Sequence, residues 1–134
     1  MKPLLPLTGV ALLAACMPET QPPPTTSAGI PEAIQGRWGL SANDCNPAMA
    51  DVAKGLMVVG GTTLTFYESR GTLTALTKAE STRIEGDFSF TGEGMSWTRQ
   101  MVLDVQSGGD TLIRRDYGDD AMPGPLKYTN CATL

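Results

Sequence analysis

The 134-residue sequence contains no histidine. That removes the commonest general base near neutral pH and the commonest zinc ligand. Ser-His-Asp and Cys-His catalysis and His-based metal chemistry are excluded with it. Basic residues are few as well: 10 Lys and Arg stand against 14 Asp and Glu, a formal net charge of −4. Nucleic-acid binding requires a basic stripe or patch, so no nucleic-acid partner is expected. Aromatic residues make up only 6% of the chain, so any core must be mainly aliphatic. There is no apolar run of about 20 residues, the length a membrane-spanning helix needs. Nor does a 3.6-residue period persist over three turns; Pro47 to Lys54 reads at most as a short helical turn. There are three cysteines, with no Cys-x-x-Cys spacing that would suggest redox chemistry.

What is present begins with an export signal. Met1 to Cys16 reads MKPLLPLTGVALLAAC. A positive charge at Lys2, a short apolar stretch from Leu4 to Leu13 and two small residues are the parts of a secretory signal peptide. Leu13-Ala14-Ala15-Cys16 resembles the lipobox of bacterial lipoprotein precursors. That resemblance implies a signal peptide over residues 1–15, removal of it, and lipidation of Cys16. Two or more acyl chains hold a protein firmly on a bilayer, each buried methylene contributing about 0.8 kcal/mol. Met17 follows the cysteine where the inner-membrane retention signal of that family has Asp. The implied location is the outer membrane, facing the periplasm, with the membrane itself a partner through the anchor.

Residues 16–33 read as a disordered tether. Met17 to Gly29 holds four prolines and three threonines and no large aliphatic residue beyond Met17. Such a segment cannot bury enough surface to fold, and Pro22-Pro23-Pro24 favours polyproline II. With Cys16 assigned to lipid, Cys45 and Cys131 remain, and an even pair in an exported chain is expected to form a disulfide. Closing so long a loop contributes about 4.5 kcal/mol on chain-entropy grounds.

Residues 34–134 read as one all-β domain. Ile84, Phe88 and Phe90 share a face with Gly86, alternating with Arg83, Glu85, Asp87 and Ser89. Met95, Trp97, Met101, Leu103 and Val105 share a face of another run. Turn signals at Gly60-Gly61, Ser69-Arg70-Gly71, Gly92-Glu93-Gly94 and Ser107-Gly108-Gly109-Asp110 separate such runs. The expected strands lie near 34–40, 55–59, 62–68, 72–78, 82–91, 95–105, 111–117 and 125–131. Short connections favour a meander, and closing it removes exposed edges. The expectation is an eight-stranded up-and-down antiparallel barrel, its interior packed or holding one small ligand.

Gly36-Arg37-Trp38 on the first strand resembles the Gly-x-Trp of lipocalins and related calycin-like barrels. In that likeness Trp38 plugs the closed end of the barrel. Gly36-x-Trp38-x-Leu40 followed by Cys45 is also similar to small bacterial barrel inhibitors of secreted metalloproteases, some of them lipoproteins. In those inhibitors the bridge partner lies much nearer the first cysteine than Cys131 does here.

Two places are candidate ligand or partner sites. Glu68, Arg99 and Arg114 fall on faces that continue the inward residues of their strands, so they can meet inside the barrel or at its mouth. Buried charges must be paired, and such a cluster either locks the barrel or grips an anion. The second place is the segment Tyr117 to Pro125, which carries Asp119 and Asp120 between stiffening prolines. Met49, Met57, Met95, Met101 and Met122 read as core filler. No metal, cofactor or catalytic residue is expected; Glu68 with Asp116 is the one carboxylate pair that glycoside chemistry would use. The expected role is therefore a non-catalytic, membrane-anchored envelope lipoprotein with a structural or protein-interaction role. An inhibitor of a protease or lysozyme and a small apolar-ligand carrier are the alternatives.

Overall fold

The computed structural model describes residues 29–134, preceded by Pro3, Gly9 and Cys16 as single positions. The signal peptide expected over 1–15 and most of the expected tether lie outside the described residues. Among the described residues, no helix is long and apolar enough to cross a membrane.

The alternating runs form eight strands: β1 (Gly36–Gly39), β2 (Leu56–Val59), β3 (Thr63–Thr65), β4 (Ser69–Ala79), β5 (Arg83–Gly92), β6 (Met95–Gln106), β7 (Thr111–Tyr117) and β8 (Leu126–Asn130). Each pairs antiparallel with the next, and β1 pairs with β8, so the sheet closes into an up-and-down barrel. The seam between β1 and β8 is short, placing Trp38 opposite Asn130 and Gly39 opposite Thr129. The fold expected from the sequence is the fold observed.

Two boundaries differ from expectation. Ser69-Arg70-Gly71 is not a turn but the start of β4, and β3 ends at Thr65. Gly71 faces Phe90 across the β4–β5 pair, and a Cβ there would lie 2.8 Å from the Phe90 ring. The glycine makes room for an aromatic ring rather than bending the chain. At the N-terminal side, folded structure begins earlier than residue 34. The Ile30 amide donates to the Gly61 carbonyl at 2.7 Å, and both Ile30 and Ile34, the last residue of a 3₁₀ turn at Glu32–Ile34, are buried. Residues 30–33 therefore belong to the barrel and not to a tether; two isoleucines with a site to fill outweigh the prolines around them.

An up-and-down barrel has two distinct ends. The chain enters β1 at the end that carries the short connections 60–62, 80–82 and 107–110. Ile30, Ile34 and Trp38 fill this end, and the Trp38 indole Nε1 donates to the Ile34 carbonyl at 2.8 Å. Above them Met57, Leu64, Ile84, Phe88, Met101, Leu103 and Leu112 are fully buried. The opposite end carries connections 40–55, 66–68, 93–94 and 118–125. Its tightest turn, Glu93-Gly94, has both residues at positive φ (49° and 76°), as a two-residue hairpin requires.

The long 40–55 connection is tied down rather than loose. Pro47–Met49 forms a single 3₁₀ turn, and the Asp44 carboxylate accepts from the Ser41 and Gly55 amides at 2.9 and 3.2 Å. It folds back against β1, where Cys45 bonds to Cys131 with Cα atoms 5.1 Å apart. Gly39 lies beneath this bridge; a Cβ there would sit 2.9 Å from the Cys45 Sγ and 2.7 Å from the Ser41 carbonyl oxygen. The disulfide therefore covers the outer face of the four-residue β1 at the barrel's seam.

Candidate functional site

The strand alternation that buries the core continues upward into the open end and there becomes polar. On β6, the inward residues run from Leu103 and Met101 to Arg99 and Trp97. On β7, Leu112 is followed inward by Arg114 and Asp116, since strand residues two apart share a face. Of these, Trp97, Arg99, Arg114 and Asp116 line a cavity of about 310 Å³ with Phe66, Ser69, Phe90, Asp120 and Met122. The Phe90 and Trp97 rings are stacked with centroids 5.5 Å apart, and Phe66 lies 5.9 Å from Phe90.

Arg114 and Asp116 form the lower polar layer of this mouth. Arg114 Nε donates to Asp116 Oδ1 at 2.8 Å, and Nη2 donates to Asp116 Oδ2, a bidentate pair. Nη1 donates to the Tyr128 hydroxyl at 3.1 Å, and the guanidinium lies 4.7 Å from the centroid of the Phe66 ring. The side chains are only 15% and 7% exposed. Burial alone would pull the Arg114 pKa down, but hydrogen bonding and charge from Asp116 hold it above its ordinary value. Burial raises the Tyr128 pKa, opposed by Arg114. All three nitrogens of this guanidinium are engaged, so it acts as a brace across β7 and β8.

Arg99 is bound differently. Its side chain is 11% exposed, and Nη1 donates at 2.8 Å to Asp120 Oδ1, whose side chain is 80% exposed. The Arg99 hydrogen bond holds the Asp120 carboxyl below its usual pKa. The two stretches read separately from the sequence, the charged mouth and the 117–125 segment, thus meet in one ion pair. Asp119 is exposed beside it.

Glu68 does not join the cluster. Because β3 ends at Thr65, the inward alternation stops before Glu68, which stands exposed on the 66–68 turn. Hydrogen bonding with Glu93 raises its pKa; slight desolvation and the Glu93 charge add to the rise, and Lys54 opposes it. The carboxylate pair considered for glycoside chemistry is likewise divided, since Asp116 is held by Arg114. Sequence reasoning missed Asp116 as the partner of Arg114, although an Arg-x-Asp spacing within a strand puts both on one face.

The methionines also depart from expectation. Met57 and Met101 are core residues, but Met49, Met95 and Met122 are exposed. Seven of the eight large exposed hydrophobic side chains among the described residues lie on the open-end connections or on strand ends adjoining them. They are Leu40, Met49, Val52, Tyr67, Met95, Tyr117 and Met122; Leu134 is the eighth. Cys16, the residue assigned to lipid, is unpaired and exposed. Among the described residues no group of three or more acidic or cysteine side chains is placed to hold a metal.

No protein-family model, curated protein or solved structure matches this chain.

Proposed function

We propose that this chain is an exported lipoprotein, anchored in the cell envelope through Cys16, that binds another protein with the open end of its barrel. The observation that carries this reading is that Tyr67, Met95, Tyr117 and Met122 stand exposed on the connections and strand ends of one end of the barrel. Large exposed hydrophobics scattered singly need no explanation, but a group on one face marks an interaction surface. Met and Tyr dominate here, residue types enriched where proteins meet. The folded body begins at the opposite end, so a tether from Cys16 would leave this surface directed away from the lipid. The disulfide supports export, because such bonds persist in oxidising compartments. The periplasmic face of the outer membrane fits both features. The role is non-catalytic: the mouth's best-placed charged groups are engaged with one another. A purely apolar cargo is disfavoured, since the mouth cavity is walled by two arginines and two aspartates.

The test uses the full-length protein in its envelope. A photo-crosslinking residue at Met95 or Met122 is expected to give a discrete protein adduct, and one at Leu134 none. Adducts absent from the open end, or equal at both ends, refute the reading. Metabolic labelling with palmitate is expected to mark the protein and to be lost in Cys16→Ala. A partner identified as a secreted protease or lysozyme would narrow the role to inhibition.

A further inference from the structure

We infer that the mouth of the barrel is a binding site for a small organic carboxylate, with Arg99 as its anchor and Asp120 as a displaceable latch. This goes beyond the protein-binding role and does not depend on it. Arg99 stands on β6 between Trp97 and Met101, held by its pairing with Phe88 of β5 and next to Gln100, where the pairing with β7 begins. A guanidinium has five N–H donors. Those of Arg114 reach Asp116 and Tyr128, whereas the one charged partner of Arg99 among the described residues is Asp120. That partner belongs to the irregular 118–125 connection and faces water. An ion pair with one member in solvent is weak, because water competes for the exposed carboxylate.

The pair also stands between two spaces. Trp97, Arg99 and Asp120 line the 310 Å³ mouth cavity, and the same three line a neighbouring cavity of about 280 Å³ that reaches Met95 and Ser96. When the Asp120 carboxylate leaves Arg99, the partition between them opens. Gly118 sits at φ 136°, and a Cβ there would approach Arg99 Nη1 to 3.3 Å, so the connection passes close over the guanidinium.

The chemistry of the walls selects the ligand. Asp116 is neutralised by Arg114, so one positive charge remains once Asp120 is displaced. The position is already occupied by a carboxylate, which is the group it fits. Around it Phe66, Phe90, Trp97, Met95 and Met122 offer apolar and aromatic surface. The ligand is therefore a monoanion with an apolar or aromatic body, and the cavity is of the few-hundred-Å³ size that small molecules occupy.

Full-length protein is titrated with phenylacetate and hexanoate, with phenylacetamide and hexanamide as uncharged controls, following Trp97 fluorescence. Trp38, buried at the far end, does not report. The acids are expected to give a saturable response and the amides to bind at least about tenfold more weakly, as loss of a charge-assisted hydrogen bond implies. Asp120→Asn is expected to tighten binding of the acids, because it removes the competing carboxylate. Arg99→Gln is expected to abolish it. Asp120 lies in solvent, so its variant keeps the test decisive if Arg99→Gln fails to fold. No saturable response to either acid, equal binding of acid and amide, or weaker binding to Asp120→Asn overturns the inference. A blocked Glu–Phe dipeptide that binds much more tightly than either acid also overturns it, reassigning the site to an acidic segment of a protein. Loss of the open-end cross-links leaves these titrations unaffected, so the two readings fail separately.

Discussion

Replacing Cys45 and Cys131 together by Ala should remove a large part of the stability of this barrel. The bridge joins residues 86 apart, and the loop it closes contains β2 to β8 entire. Restricting an unfolded loop of that length contributes about 4.5 kcal/mol. Domains of this size have net stabilities of roughly 5–15 kcal/mol, so the variant should sit near the lower limit of folding. The location adds a local effect. β1 has four residues and meets β8 at two register positions, while β5 and β6 meet at ten. Without the bridge, the β1–β8 seam is the first place for the barrel to open. Urea unfolding of the full-length protein should show the loss as a lower midpoint with a steeper slope, because the unlinked chain exposes more surface. Native-state hydrogen exchange should then quicken most at Trp38, Gly39 and Thr129. A loss under about 1 kcal/mol with an unchanged slope would refute the chain-entropy argument. Exchange quickening evenly around the barrel would refute the weak seam.

Asp116→Asn leaves the Arg114 guanidinium largely buried without its charge partner, and breaking such a pair costs about 3–5 kcal/mol. The loss should appear in chemical denaturation, and a further Arg114→Met should restore much of it by removing the stranded charge. Glu68 gives a prediction of opposite sign. Its folded pKa lies above the ordinary carboxylate value of 4.5, so the folded state binds the proton more tightly than the unfolded one. Stability tied to this group is complete below pH 4.5 and lost as pH rises through the elevated folded value. Glu68→Gln should therefore match the parent protein in acid and exceed it at pH 7; a difference independent of pH would count against crowding by Glu93.

Most of the barrel was legible in the sequence because its signals are local. Glycine-rich turns and period-2 alternation fix where strands run, and all eight strands fall near their expected places. The errors arise where a residue acts through a neighbour distant in sequence. Gly71 reads as a turn until Phe90 is seen packed against it. Ile30 reads as the end of a proline-rich leash because nothing local reveals the barrel end that it fills beside Ile34 and Trp38. The site follows the same division. That Arg99 and Arg114 point inward follows from alternation, and so was foreseeable. Their partners were not, because the contact of Arg99 with Asp120 spans 21 residues and a connection of irregular backbone. Glu68 was misplaced because alternation was extended three residues past the end of β3.

The two ends of the barrel obey different demands, and the difference locates function more firmly than any single residue does. At the closed end, short connections and the Ile30, Ile34 and Trp38 plug do what stability alone asks, excluding water from apolar side chains. At the open end, stability alone does not explain Arg114 and Asp116. Taking two charges out of water is costly, and apolar residues of similar volume at such positions commonly hold a fold as well or better. A Met or Leu pair would also continue the packing of Met101, Leu103 and Leu112 upward and fill the mouth. What the charged layer achieves, and an apolar one would not, is a wettable floor that stops the core from growing into the mouth. Above that floor Arg99 is left with spare donors, and around it Met and Tyr side chains remain in solvent. A barrel shaped only to be stable would have neither.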